Sequence, residues 1–226
     1  MSDFSNADFS NAEFATAEFA NAALADEVVD LPVASSDEVF AGKIWNVRRE
    51  TFDFNGSNIT REFIEHPGAV AVLAIDDNDR VCLIRQYRHP VRAREWELPA
   101  GLLDVAGESP LLGAQRELAE EVDLEAAEWF VLTDFQVSPG GSNEALRIYL
   151  ARGVTETAEI FARTDEEAEL ERSWVPLDEI VDAVLDRRVQ NAILIVGALA
   201  AHAARARGWQ TLSSAESPWP RHPRFR

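Results

Sequence analysis

The chain has 226 residues, 46 % of them hydrophobic, and a formal net charge of −19 from 40 acidic and 21 basic side chains. That length and apolar share suffice to bury one substantial core, which favours one domain and admits two at most. So acidic a surface argues against a nucleic-acid groove, which needs Lys and Arg on one face, and with no 18-residue apolar run and no basic-then-apolar leader the chain reads as cytoplasmic and free of membrane.

Residues 1–37 read as an acidic tail, since residues 1–40 hold nine Asp or Glu and no Lys or Arg. From Ser2 to Asp26 runs a five-residue repeat, SDFSN, ADFSN, AEFAT, AEFAN, AALAD. It resembles the pentapeptide repeat, which would place Phe9, Phe14, Phe19 and Leu24 inside a narrow β-helix. Four or five such units are barely one stack, because repeats need neighbours and caps to bury their faces. Poor in branched apolar residues, the tail is read instead as disordered or partly helical.

Residues 39–52 and 59–66 read as two strands joined through Asn55-Gly56, a strong two-residue hairpin signal. A hairpin is marginal alone, so Ile44, Trp45, Phe52, Ile59 and Phe63 are expected to cover a surface, either of their own domain or of a second copy. Residues 70–75 and 81–87 read as a second hairpin across Asp76-Asp77-Asn78-Asp79, with Cys82 as a buried small hydrophobe. Arg85, Arg88, Arg92 and Arg94 follow, close enough in sequence to the next segment to meet a phosphate held there.

Trp96-Glu97-Leu98-Pro99-Ala100-Gly101, a short strand ending in a Gly turn, leads through Gly107-Glu108-Ser109-Pro110 into a helix with Pro near its first turn. Leu111, Leu112, Ala114, Leu118 and Val122 supply its apolar stripe. Glu117 and Glu121 share a face, where like charges at this spacing repel by about 0.2–0.5 kcal/mol, and Glu120 adds to the field. A divalent cation reverses that penalty, because hard ions such as Mg²⁺ and Mn²⁺ take oxygen ligands and share them with substrate phosphates. Arg116, four residues before Glu120, can hold a carboxylate in place when no metal does. A merely solvated charged face would lack the preceding strand, the Gly turn and the helix start.

Gly101, Glu108, Arg116, Glu117, Leu118, Glu120, Glu121 and Leu124 resemble the signature box of the Nudix hydrolases. Two positions depart from it. Six residues instead of five separate Gly101 from Glu108, which puts the extra residue in the loop of residues 104–107 and leaves the helix spacing intact. Asp123 stands where the pattern has Gly, at a helix end that wants a left-handed residue, and Asp visits that region at some cost.

Beyond the helix, strands are read at residues 129–135 and 145–151. Ser173-Trp174-Val175 then precedes a helix over residues 177–186, and a long helix follows over about 190–207. Strands, a helix, then strands and helices suggest an α+β domain. The resemblance implies the Nudix α/β/α sandwich over residues 38–208 with an N-terminal β-hairpin. Residues 209–226, rich in Pro and Arg, are read as a loose C-terminal tail. Glu65-His66-Pro67-Gly68-Ala69-Val70, Arg85-Gln86-Tyr87-Arg88-His89-Pro90 and Ser138-Pro139-Gly140-Gly141-Ser142-Asn143-Glu144 resemble the ADP-ribose pyrophosphatases of that family, with Pro139 as their marker proline.

That resemblance implies roles. The carbonyl of Ala100 with Glu117 and Glu121 would hold two or three Mg²⁺ ions, with Mn²⁺ as the alternative, and Glu120 would complete or support the cluster beside Arg116. Glu144, on its Gly-rich loop, would deprotonate or orient the attacking water. Arg88 and Glu97 would belong to substrate binding, and Trp45 would stack on adenine across a homodimer interface. His66, His89, His202 and His222 show no metal spacing and are read as structural or exposed. The implied reaction is Mg²⁺-dependent hydrolysis of ADP-ribose, a small nucleoside diphosphate sugar, to AMP and ribose 5-phosphate. Another such sugar is the alternative substrate. A non-catalytic ADP-ribose-binding module is a further class, although such sensors lose box glutamates that this chain keeps. An interaction protein whose acidic tail mimics DNA is disfavoured by the same glutamates.

Overall fold

The computed structural model describes residues 24–158, 161 and 169–225. The five-residue repeat, its last residues apart, lies outside the described residues. The elements run β1 (Val33–Phe40), β2 (Asn46–Phe54), β3 (Ser57–Glu65), β4 (Ala69–Ala74), β5 (Arg80–Arg88), β6 (Ala93–Glu97), β7 (Ala100–Leu102), α1 (Pro110–Val122), β8 (Leu124–Gln136), β9 (Ala145–Glu156), β10 (Glu171–Pro176), α2 (Leu177–Leu185), α3 (Ala192–Ala206) and β11 (Ser213–Ser214). No helix of the described residues is long and apolar enough to cross a membrane.

The Asn-Gly turn forms as its sequence signals: Asn55 and Gly56 both take positive φ, 54° and 82°, and Gly56 N donates to Asp53 Oδ1. The strand expected over residues 39–52 is broken, however. β1 ends at Phe40 and β2 starts at Asn46, where Gly42 N donates to Asn46 Oδ1. β1 also begins at Val33, inside the segment read as tail, and pairs with β2 from Val33↔Phe52 to Phe40↔Val47. Its Ala34-Ser35-Ser36-Asp37-Glu38 run carries no apolar alternation, so the strand owes its place to pairing, a contact no local pattern announces.

β4 and β5 are not the second hairpin. A single bridge, Ile75↔Val81, joins them, and past it β4 lies between β9 and β7 while β5 lies between β10 and β6. Burial explains the parting. Every residue of β4 is buried, so both of its faces need cover, as in strands held between helices. β9 runs parallel to it, in register from Ala69↔Leu146 to Ala74↔Ala151. One face, with Ala71, Leu73, Ile148 and Leu150, joins Leu177 and Ile180 of α2 and Leu194 and Ala198 of α3. The other, with Val70, Val72, Tyr149 and Ala151, joins Ala114, Leu118 and Val122 of α1. The architecture is therefore the α+β, α/β/α sandwich expected. Within α1 one expectation fails: Leu112 is 56 % exposed, and Gly113 and Ala114 take the inward positions beside Leu118 and Val122. Cys82 is buried, which pushes its thiol up to about 12 and leaves it an inert apolar filler.

Residues 213–225 form a strap. Ser213 and Ser214 pair with Val131 and Phe130 of β8, and Trp219 and His222 are 2 % and 1 % exposed. Buried Arg147 binds the strap down, donating to both oxygens of Asp134 and to the carbonyls of Ser217 and Pro218, with its guanidinium 4.7 Å from the Trp219 ring centroid. The segment read as loose is thus part of the core cluster around α1.

Candidate active site

The helix α1 is built by local chemistry. Ser109 caps it, its hydroxyl accepting from Leu112 N, and Pro110 opens its first turn. Asp123 ends it in the left-handed region, with φ 54° and ψ 41°. The departure from Gly is put to use: the Asp123 carboxylate accepts from Phe161 N at 3.0 Å, a bond from beyond the end of β9 that glycine could not make and that offsets the cost of that conformation. The extra residue of the box is absorbed by the turn at Gly107, φ 83°. Glu108 accordingly still reaches Arg116, with Nε–Oε1 and Nη2–Oε2 distances of 2.9 and 3.1 Å.

One turn apart on α1, Glu117 and Glu121 both lie along β7. Glu121 is 5 % exposed, and its Oε2 accepts from Ala100 N at 2.9 Å. At Gly101 a Cβ would sit 2.0 Å from the Glu117 carboxyl carbon, so glycine leaves the Glu117 carboxylate its room against the strand, and a side chain there would push that carboxylate aside. Arg116 Nη1 donates to Glu117 at 2.6 Å and to Glu120 at 3.0 Å. The guanidinium holds the Glu108 carboxyl below its usual range, and Glu108, with Glu117 and Glu120, raises the already high Arg116 pKa further.

Among the described residues no three Asp, Glu, His or Cys side chains stand assembled as a metal site. The donor chemistry nonetheless fits a hard cation: three carboxylates on two adjoining faces of one helix turn, beside a strand whose Ala100 has a carbonyl to offer. Arg116 supplies the compensating positive charge, as its spacing suggested.

The sheet brings the other half of the site alongside. In the order β9-β4-β7, the start of β9 and the Ala100–Leu102 strand flank the same strand β4, about 10 Å apart at two strand spacings. Glu144 immediately precedes β9 on the 138–144 loop, which is latched to β3: Ile64 N donates to Gly141 O, Asn143 N to Ile64 O, and His66 N to Asn143 Oδ1. His66 Nε2 lies 3.8 Å from Glu144 Oε1. Sequence reasoning set His66 aside for want of metal spacing, and its signal, a His directly before Pro-Gly at a strand end, speaks of a turn and not of a site.

Arg88 donates twice to Glu97, at 2.9 and 2.7 Å. Glu97 is buried, also accepting from Gln86, so it serves as the partner that aims Arg88 and is not itself open to a ligand. Arg85 and Arg94 form exposed ion pairs with Glu171 and Glu169, contacts of little energetic weight. Trp45 is exposed, not a core aromatic. With Asn46, Glu65, His66, Asn143 and Arg224 it lines a cavity of about 320 Å³, within the usual range for small-ligand sites.

Residues 65–194 match the family model of the NUDIX domain. The chain belongs to the NUDIX family. It is a Nudix hydrolase, 47 % identical over 175 residues to an ADP-ribose pyrophosphatase of Mycobacterium tuberculosis (strain ATCC 25618 / H37Rv), covering 77 % of this chain and 84 % of that one. A methanol dehydrogenase activator of Bacillus methanolicus is 32 % identical over 162 residues, 71 % of this chain and 86 % of its own length. Among solved structures, the crystal structure of an ADP compounds hydrolase aligns with a TM-score of 0.66 at 22 % identity, over 81 % of this chain and 99 % of that one; this likeness concerns the fold. The Nudix match runs from the end of β3 into α3, so the C-terminal strap lies beyond it.

Proposed function

We infer that this Nudix hydrolase cleaves the pyrophosphate bond of ADP-ribose, giving AMP and ribose 5-phosphate, with Mg²⁺ as its cation and Mn²⁺ as the alternative. The observation that carries the reading is 47 % identity over 84 % of a protein named ADP-ribose pyrophosphatase. In this reading the Ala100 carbonyl, Glu117 and Glu121 hold the ion, Glu120 completes the set, and Arg116 keeps Glu117 and Glu120 in place between turnovers. Bound Mg²⁺ would neutralise the pyrophosphate and lower the pKa of a bound water. Glu144 takes the proton of the attacking water. Arg88, aimed by Glu97, offers paired N–H donors to a phosphate.

With MgCl₂ the purified protein is expected to convert ADP-ribose to equal amounts of AMP and ribose 5-phosphate, and with excess EDTA to convert none. Since the chain is also similar to a protein of a different name, other nucleoside diphosphate sugars belong in the same panel. Turnover unaffected by EDTA, or cleavage of another sugar in preference to ADP-ribose, would overturn the assignment.

The same reading makes the enzyme a cytoplasmic homodimer. Phe40, Ile44 and Trp45 are all exposed around the connection from β1 to β2, where exposed apolar side chains suit a partner surface; Trp45 there offers adenine a stacking face. Light scattering at micromolar concentration should give about twice 25.1 kDa. A species of 25.1 kDa counts against the dimer.

A further inference from the structure

The turn between β3 and β4, His66-Pro67-Gly68, meets the Glu144 loop on one side and the C-terminal strap on the other. His66 Nε2 stands 3.8 Å from Glu144 Oε1, and both side chains are largely buried. The other ring nitrogen is engaged, since Nδ1 lies 3.1 Å from Gly68 N and accepts its proton. A neutral imidazole that accepts at Nδ1 carries its own proton on Nε2, the atom facing Glu144. Burial lowers the His66 pKa, outweighing the attraction of Glu144, so the ring is neutral at pH 7. Asn143, the residue before Glu144, accepts from His66 N at 2.8 Å, which ties base and imidazole to one turn.

The strap backs that turn. His222 Nδ1 accepts from Arg224 N at 3.1 Å, leaving its Nε2 proton for Pro67 O, 3.2 Å away. Burial takes the His222 pKa down to about 4, so this donor is neutral at pH 7 as well. Gly68 has φ +88°, and a Cβ there would lie 2.2 Å from His222 Nε2; turn and strap are in direct contact. Arg224 Nη1 donates to Leu103 O, and Leu103 N donates to Gly68 O, so the strap grips both ends of this small network.

We propose that His66 is a positioning residue for Glu144, presenting its Nε2 proton to that carboxylate, and that the C-terminal strap fixes the turn that aims it. The proposal rests on Glu144 acting as the general base. One carboxylate oxygen is then held by the imidazole while the other accepts the water's proton. The 3.8 Å separation exceeds hydrogen-bond range, as catalytic contacts often do before substrate tightens them.

Two variants of the full chain separate the parts of His66. His66→Asn keeps an acceptor for Gly68 N but is too short to reach Glu144, whereas His66→Gln sets an amide N–H near the Nε2 position. Assayed with ADP-ribose and MgCl₂, His66→Asn should lower kcat about ten- to a hundredfold, the range for residues that orient an active-site ligand. KM and Tm should change little, and His66→Gln should recover most of the loss. The double variant with Glu144→Gln should be no slower than Glu144→Gln alone. By NMR titration, Glu144→Gln should lower the His66 pKa further, because a neighbouring carboxylate favours the charged ring. Unchanged kcat in His66→Asn, with Glu144→Gln inactive, overturns the positioning role and leaves the base assignment standing. Full activity in Glu144→Gln removes the base and the proposal together. Equal losses in Asn and Gln variants with a lower Tm would make His66 structural, which also overturns it.

Discussion

Glu121→Gln is expected to lower kcat by about 10²–10³, the scale of removing one strong charge contact from an active site, while the fold survives. The side chain is buried and its Oε2 accepts from Ala100 N at 2.9 Å. A glutamine oxygen can accept the same bond, so the link between α1 and β7 need not break. The exchange also removes a like charge four residues from Glu117, worth about 0.2–0.5 kcal/mol in favour of the helix. What it deletes is the negative charge that a hard cation requires of its ligand. Steady-state kinetics and a thermal melt on the same preparation test both halves. A Tm falling by tens of degrees would make Glu121 a structural residue, and an undiminished kcat would take it out of the site.

The part of this molecule legible in sequence is the part encoded locally. Ser109, Pro110 and Asp123 each act within one helix turn, and the structure shows the cap, the first turn and the left-handed end that those residue types favour. The Arg116 pairing with Glu120 is an i, i+4 contact and was readable for the same reason. Misreadings occur where a distant partner decides. The hydrophobic run of β4 and that of β5 looked like adjacent arms of a hairpin, but β4 takes β9 as its parallel neighbour, some seventy residues on. The apolar stripe read from the sequence includes Leu112, yet Leu111, Ala114, Leu118 and Val122 already hold the face of α1 packed on the sheet, and Leu112, two residues before Ala114, turns to solvent. His66 had no motif to announce it, because its relation to Glu144 depends on a loop latched across 77 residues by Asn143. Arg88 and Glu97 lie nine residues apart and pair with each other, but their burial, which decides which one faces outward, is set by the strand pairing of β5 and β6.

Trp219→Ala is expected to destabilise the protein by about 3–5 kcal/mol, the cost of truncating a buried Trp in a core. At 2–4 °C per kcal/mol for a domain of this size, that is roughly 6–20 °C in Tm. Composition pointed the other way, since Pro, Arg and Ser dominate residues 209–226 and a solvated tail would answer the same substitution by about 0.5 kcal/mol or less. The larger value follows from what surrounds the ring. Trp219 is 2 % exposed, lies 4.5 Å from the His222 ring centroid, stacks with Phe225 and lies under the Arg147 guanidinium. Arg147 is itself buried, and although Asp134 would still pair with it, its bonds to Ser217 O and Pro218 O depend on the strap staying seated. Losing the anchor therefore threatens a buried guanidinium as well as an aromatic contact, and buried donors left without acceptors cost about 1–3 kcal/mol each. Urea denaturation of the Trp219→Ala variant measures the sum. A midpoint equal to that of the parent protein would return the strap to the status of a surface segment, and would also remove the backing that the His66 turn receives from His222.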